Sequence, residues 1–468
     1  MIALLRFVNS VVWGIPALGL IIGVGLCLTV RTRFAQVRLL PQALRTFLVP
    51  IKGKGDDADR SKWRALCTAL AATVGTGNLA GVAGAIALGG PGAVFWMWVC
   101  GFLGMGIKLA EAVLAIRYRC RSSDGGYYGG PMYMIQKTMK SNWHWLACLY
   151  CFFGIVASFG VGNGTQISTV IAGMNSALSY FGIQESRDLN LFVGLLLGVM
   201  ILIVMSKDVR GIGAAAERLV PFAAVLYIFL SFSVILIQYR MIPSALEAIV
   251  KGAFSPKAVT GGAVGSFFAC VRIGAARGVF TNEAGMGTAS MAHATANVKH
   301  PMEQGLLGIV EVFIDTIVIC TLTALVILCS GVKIPYGIDA GITLTTNAFV
   351  SVLGQWVSVF ISIALCLFAF ATVLGWGLYG LQCARFLFGQ ECIKSFVLLQ
   401  AIMAVISAVL KAEMLWLFSE IVNGLMAIPN LIVLSKCIYE VSSAVTDFER
   451  IKVKENRKPV QGRYATLK

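Results

Sequence analysis

Two short runs in this sequence combine glycine with hydroxyl, amide or carboxyl side chains inside stretches that are otherwise apolar. The first is Val74-Gly75-Thr76-Gly77-Asn78, followed by Gly81 and Gly84. The second begins with Gly274 and Gly278 and continues as Thr281-Asn282-Glu283-Ala284-Gly285-Met286-Gly287. Glycine at this density loosens a helix, and the loosened backbone exposes N–H and C=O groups that must find other partners. Half-helix N-termini offer N–H groups and a positive dipole to a carboxylate, while freed carbonyls coordinate a small cation. A zwitterionic amino acid needs that pair of features. Thr76 and Asn78 add a hydroxyl and an amide, and hydroxyl and carbonyl oxygens also suit Na⁺.

Ionisable residues inside apolar runs are costly to insert, at least ~2.5 kcal/mol each, so they carry a functional or a paired role. Lys108 and Glu111 are spaced i, i+3, which predicts an ion pair along one helix face. Arg277 and Glu283 lie six residues apart within the second run and Asp315 follows in the next apolar stretch; these three read as gate or structural charges, with Arg277 paired to a carboxylate. Direct binding of a substrate carboxylate by Arg277 is the sharper alternative. Glu311 stands at i, i+4 from Asp315, close enough for one of the two to carry a proton.

The elements that hold these residues follow from composition. Of 468 residues, 58% are hydrophobic, 13% are charged and 50 are glycine; soluble domains carry roughly 25% charged residues. The mean hydropathy is +0.82. Apolar runs of about 20 residues recur along the whole chain, each able to cross a bilayer core of ~30 Å as a helix. This excludes a cytosolic enzyme, a secreted disulfide domain and a disordered scaffold, and predicts an all-α integral membrane protein. About 11 spans fall near 8–30, 66–88, 92–116, 144–180, 190–206, 217–238, 258–286, 305–330, 355–388, 394–412 and 417–440. The first, followed by Arg31, Arg33 and Arg38 and lacking a small-residue cleavage site, reads as a retained span rather than a signal peptide.

The net charge of +16 has a sidedness. With the N-terminus outside, the loops on the cytoplasmic face hold 28 Lys and Arg, those on the other face hold 7, and Lys108, Arg272 and Arg277 lie within spans. Such a bias places the C-terminus in the cytoplasm of a cell (plasma or inner) membrane. The acidic and glycine-rich stretch from Lys52 to Lys62 lacks the Glu that would complete a calcium loop and reads as a solvated linker. The last residues, with Arg450, Lys452, Lys454, Arg457 and Lys458, read as a basic tail at an anionic membrane face.

An odd span count admits one extra helix followed by two five-span repeats inserted in opposite senses, with a broken helix at the same place in each half. Spans two and seven, which carry the two runs, are the first of each half. The expected divisions are 1–45 for the extra span and basic loop, 46–240 and 241–440 for the repeats, and 441–468 for the tail.

The stretch from Leu66 to Trp98 resembles the signature of the alanine/glycine:cation symporter family (sodium:alanine symporters, amino acid carrier proteins). Matching stretches follow in order at Gly129–Tyr133, Gly160–Gln166, Ala276–Gly287, Phe313–Thr321, Thr372–Gly380 and Asn423–Leu431. The resemblance implies a sodium-coupled importer of alanine and glycine with a leucine-transporter-like inverted-repeat fold. Carried over by motif, Gly75, Thr76, Gly77, Asn78 and Gln166 would line the substrate site, and Phe280 and Trp376 would wall a small apolar pocket. A sodium site would join the carbonyls of Val74 and Gly77 to the hydroxyl of Thr372. Where the family usually has Ser-Thr this chain has Ala371-Thr372, which removes one oxygen and keeps a proton-coupled or exchange-type carrier open as the alternative.

Other chemistries find little purchase. Cys148-x-x-Cys151, with His144 nearby, lies in an apolar run and reads as packing. His293 and His300 read as members of a solvated cytoplasmic loop. The glycine spacing does not match a dinucleotide fingerprint and there is no Walker sequence, so nucleotide and nucleic-acid partners are not expected. The expected partners are alanine or glycine, a sodium ion and the lipid bilayer, with no catalytic residues.

Overall fold

A computed structural model describes residues 2–48, 57–121, 125–261, 266–338, 341–410 and 412–457. Among these residues nine helices are long and apolar enough to cross a membrane, and one bent pair makes a tenth. Span one is Phe7–Arg31, three Ala93–Tyr118, four Ser141–Tyr180, five Arg187–Met205, six Gly211–Ile237, eight Pro301–Cys329, nine Val357–Phe388, ten Gln390–Ser407 and eleven Leu415–Lys436. Span two is the bent pair, Asp59–Thr73 and Gly77–Gly89 at 44°. Span seven is Phe267–Asn282 followed by the six-residue helix Thr288–His293. Neither piece reaches spanning length alone, because five non-helical residues interrupt them.

Both expected breaks are therefore present. In span seven the turn is built on left-handed backbone: Glu283 has φ +53°, Gly285 +92° and Gly287 +77°. The two glycines take this conformation without the Cβ penalty that Glu283 must bear. Short π-helical turns add a further distortion at Gly77–Gly81 in span two, Gly160–Gly164 in span four and Phe313–Cys320 in span eight. A π turn shifts the hydrogen-bond register by one residue and so re-aims the side chains it carries. Asn78, Asn163 and Asp315 all sit in such turns.

Spans two, three, seven and eight pack on one another, and spans four, nine, ten and eleven pack around span nine and the bulge of span four. The second half of span three, from Gly104 to Ile116, is buried throughout, where lipid-facing spans such as five and six keep exposed leucine and phenylalanine rows. Shorter helices close the structure: Leu40–Leu48, Pro131–Thr138, Ile242–Phe254, Gly341–Leu353 and Ile438–Arg457. The stretch expected to be a solvated linker is outside the described residues up to 56; from Asp57 it already belongs to the helix of span two. The expected tail is helical through Arg457, beyond which it lies outside the described residues.

Candidate substrate and ion site

The first break brings four of the expected residues together. Val74 and Gly75 leave the helix, and the Gly75 N–H donates to Asn78 Oδ1 at 2.8 Å. Thr76 Oγ1 donates to Gln166 Oε1 at 3.0 Å, so span two and the bulge of span four meet directly. Gln166 is set there by its own bulge, because Nε2 donates to the Val161 carbonyl at 3.1 Å. Thr372 of span nine stands against the same backbone: a Cβ added to Gly75 would lie 2.5 Å from Thr372 Oγ1 and 3.8 Å from Gln166 Oε1. Thr372 Oγ1 lies 2.9 Å from the Ala71 carbonyl and 3.0 Å from that of Phe368. A hydroxyl has one proton and two lone pairs, so its oxygen keeps acceptor capacity toward a cation.

Gly77 faces span seven. A Cβ there would stand 3.2 Å from Thr281 Cγ2 and 3.5 Å from Phe280 Cδ1, and Phe280 in turn lies against Trp416 with ring centroids 5.2 Å apart. Space beside the break is consequently narrow. The expected pocket wall Trp376 is fully buried and has a further attachment: its Nε1 donates to Glu283 Oε1 at 2.7 Å. A Cβ on Gly162 would fall 2.1 Å from Trp376 Cβ, so only glycine lets the span-four bulge close on this residue.

Asn78 is committed at both ends of its amide. Besides accepting from Gly75, it donates from Nδ2 to Asp315 Oδ1 at 2.6 Å. Asp315 Oδ2 accepts from Thr316 Oγ1 at 2.8 Å, and Thr316 Oγ1 accepts from Asn282 Nδ2 at 3.1 Å. Asn282 Oδ1 receives the Ala284 N–H at 2.9 Å. One chain of hydrogen bonds thus runs from the break in span two, through span eight, to the break in span seven. Thr345 of the helix Gly341–Leu353 donates to the Leu79 carbonyl at 2.9 Å, which ties that helix to the π turn.

Of the expected charge contacts, Arg277 does pair with a carboxylate, whereas Lys108 takes a different partner. Lys108 does not bond Glu111 at i, i+3; its Nζ reaches Glu311 Oε1 at 2.9 Å, 203 residues away. Glu311 Oε2 lies 3.1 Å from His293 Nε2, and His293 Nδ1 lies 2.6 Å from Gln304 Oε1. His293 is therefore a fully buried member of an ionic cluster, not of a solvated loop. His300 instead caps span eight, accepting from the Met302 N–H while Glu303 returns to the His300 N–H. Arg277 pairs with Glu420 of span eleven at 3.1 Å, and Glu420 also holds Asn9 Nδ2 and Trp13 Nε1 of the first helices at 2.7 Å each. Arg277 thus stands at a bridge to the N-terminal helices. Glu283 is held by Trp376 and by Thr288 Oγ1 at 2.7 Å.

Sequence reasoning did not single out Asn163, Thr316, Thr345 or Asn430. Their signal was an amide or hydroxyl inside an apolar span, but such side chains also occur as ordinary helix-packing groups in membranes. A surface pocket between spans four, five and ten, lined by Asn175, Glu185, Arg187 and Asn190, contains none of the expected site residues.

A model of the sodium:alanine symporter family matches residues 1–462. The chain is 38% identical to the sodium/alanine symporter AgcS of Methanococcus maripaludis over 458 residues, 97% of this chain and 98% of that one. It is 36% identical to the probable sodium/glutamine symporter GlnT of Bacillus subtilis, covering 97% and 91%. Its fold is similar to that of MhsT, crystallised with L-phenylalanine, at a TM-score of 0.55 and 15% identity over 83% of this chain and 97% of that one. The architecture is the leucine-transporter-like one, with a broken helix opening each half. The chain belongs to the sodium:alanine symporter family and is a multi-pass membrane transporter, a sodium-coupled amino-acid symporter and not an enzyme.

Proposed function

We propose that this symporter imports alanine or glycine by alternating access, with its N-terminus outside and its C-terminal helix in the cytoplasm. The observation that carries the reading is the meeting of Thr76 and Gln166 across the first break, beside Gly75 and Thr372. An unwound N–H and C=O pair flanked by a hydroxyl and an amide can hold the amino and carboxyl groups of a zwitterion without a dedicated charged residue. Phe280, backed by Trp416, and the close neighbours of Gly75 and Gly77 make the surroundings of the break narrow, which favours a hydrogen or methyl side chain over larger ones.

Sodium would be held by the carbonyls of Val74 and Gly77 together with Thr372, the hydroxyl of which is buried and retains its acceptor lone pairs. Residues 1–45 form the extra helix region, 46–240 and 241–440 the two inverted repeats, and 441–468 the basic tail. Work comes from the difference in affinity of the outward and inward states for the loaded site.

The test is uptake of radiolabelled alanine into liposomes containing the purified chain, under an inward sodium gradient and separately under a proton gradient. Accumulation with sodium, competed by glycine but not by glutamine, supports the reading. Accumulation with protons alone, or competition by glutamine equal to that by alanine, rejects it.

A further inference from the structure

The turn that breaks span seven is held by a carboxyl group that the transport reading leaves without a role. Glu111 of span three is fully buried, and its Oε1 accepts from the Gly285 N–H at 3.1 Å, the Gly287 N–H at 2.9 Å and Asn430 Nδ2 at 2.7 Å. Asn430, also fully buried, spends its other amide hydrogen on the Gly285 carbonyl at 2.9 Å. Gly285 and Gly287 belong to the Ala276–Gly287 stretch and Asn430 to the Asn423–Leu431 stretch.

Two atoms of this arrangement have no partner among the described residues: Glu111 Oε2 and Asn430 Oδ1. They are the far oxygens of a carboxyl and an amide already joined by a hydrogen bond. Both are acceptors if the carboxyl is ionised, so neither can satisfy the other, and both are buried. One added proton changes this: a hydroxyl at Oε2 can donate to Oδ1, closing a cyclic acid–amide pair with Asn430 Nδ2 and Oε1 as its other side. A buried acceptor left without a donor costs roughly 1–3 kcal/mol, more when it is charged.

Among the described residues the neighbouring charged groups are engaged with other partners. Lys108, one turn away on span three, is bonded to Glu311, and His293 faces the other oxygen of the same carboxyl. Glu283 at the break is itself acidic and is engaged by Trp376 and Thr288. Tyr150 of span four donates to the Met286 carbonyl, inside the same turn, and Tyr379 of span nine is the remaining ionisable group that faces Glu111. Arg117 lies near the end of span three and pairs with Glu440. Among the described residues Glu111, Glu283, Glu311 and Asp315 thus share a single buried lysine.

We propose that Glu111 and Asn430 form a proton-binding site that fastens the turn of span seven to spans three and eleven. The proton is taken from water as Glu111 becomes a neutral acid and is returned to water on release. With the proton bound every donor and acceptor of the pair is matched and the turn packs shut against span eleven; without it Glu111 Oε2 and Asn430 Oδ1 are two buried acceptors with no donor, which favours separation of Asn430 from Glu111. In the orientation proposed above this latch lies toward the cytoplasmic half of the membrane.

The site can be read without transport. Infrared spectra of the purified chain in lipid at neutral pH are expected to contain the carbonyl stretch of a protonated carboxylic acid that disappears in Glu111→Gln. Asn430→Ala is expected to shift that band toward the position of an acid without a hydrogen-bond acceptor. Identical wild-type and Glu111→Gln spectra in this region overturn the proposal, as does a band unmoved by Asn430→Ala. Should Glu111→Gln fail to fold, the Asn430→Ala comparison alone decides between the same two outcomes. Only a second arm rests on the function proposed above: uptake by wild type is expected to vary with internal pH, and uptake by Glu111→Gln to lose that dependence. An infrared band with no uptake would reject the transport reading and keep the proton site.

Discussion

Asn78 Nδ2 and Asp315 Oδ1 are 2.6 Å apart, and both side chains are completely buried. The contact joins the broken helix of span two to the π turn of span eight, and through Thr316 and Asn282 it continues to the break in span seven. Each partner is oriented by a second bond, so the chain transmits position as well as charge. The two broken helices are thereby held in one register.

Asp315→Asn tests this relationship. The substituted amide can still accept on one side, yet on the other it sets an NH₂ group against either Asn78 or Thr316, whose donors are already committed. Loss of a charge-assisted hydrogen bond costs roughly 1.5–3 kcal/mol, which is about a tenfold to hundredfold loss in kcat/KM for uptake. The pairing is measured by comparing Asp315→Asn, Asn78→Asp and the double exchange. Recovery in the double variant identifies the pair as a positioning contact, whereas an additive loss assigns Asp315 an independent task.

Thr372 and Gly75 make a paired prediction about the ion. Thr372→Ala removes the hydroxyl beside the unwound backbone and is expected to raise the sodium concentration for half-maximal uptake at least tenfold, with alanine binding at saturating sodium less affected. Thr372→Ser keeps the oxygen and is expected to stay near wild type. Gly75→Ala places a methyl carbon 2.5 Å from Thr372 Oγ1, well inside contact distance, and is expected to abolish sodium-dependent uptake. Sodium titrations of alanine binding by scintillation proximity distinguish these outcomes. Equal loss of sodium and alanine affinity in Thr372→Ala would make Thr372 a helix-packing residue.

The two breaks were legible in the sequence because glycine and polar side chains are conspicuous inside apolar runs. Val74–Asn78 and Thr281–Gly287 fall where the helices part, and Gln166 does meet Thr76. Charge partners were not legible for a physical reason. Sequence spacing reports neighbours on one helix, whereas Lys108 finds Glu311 across 203 residues and Arg277 finds Glu420 on span eleven. A membrane interior favours the partner that satisfies most hydrogen bonds, and that choice depends on how spans are arranged. His293 was misread as solvated because the short helix after the break carries it back into the protein rather than out into a loop.

The Lys108–Glu311 pair predicts a strong asymmetry between single and double substitutions. Lys108→Met strands a carboxylate in the core, and breaking a buried pair in this way costs about 3–5 kcal/mol. The variant is expected to lose most of its thermal stability in detergent. Glu311→Gln strands the ammonium and is expected to be comparably harmful, with His293 losing its carboxyl contact as well. Replacing both, as Lys108→Met with Glu311→Gln, removes both charges together and is expected to recover most of the stability. Tm values from intrinsic fluorescence decide the matter. A double variant as unstable as the sum of the singles would mean that the two groups do not act as a pair.

Gln166→Ala separates a substrate role from a scaffold role at the bulge of span four. The Gln166 amide joins Thr76 on one side and the Val161 carbonyl on the other, so its loss removes a hydroxyl contact at the break and frees a carbonyl at the bulge. In a substrate role, alanine affinity is expected to fall at least tenfold, about 1.4 kcal/mol, with sodium dependence and Tm changed little. Gln166→Glu retains the acceptor for Thr76, replaces the donor to Val161 with a repelled oxygen, and adds a negative charge that opposes any substrate carboxylate held against this side chain. Its affinity for alanine should consequently be lower than that of Gln166→Ala. Reversal of this order, with the glutamate variant binding better, would place the substrate amino group rather than its carboxylate against Gln166.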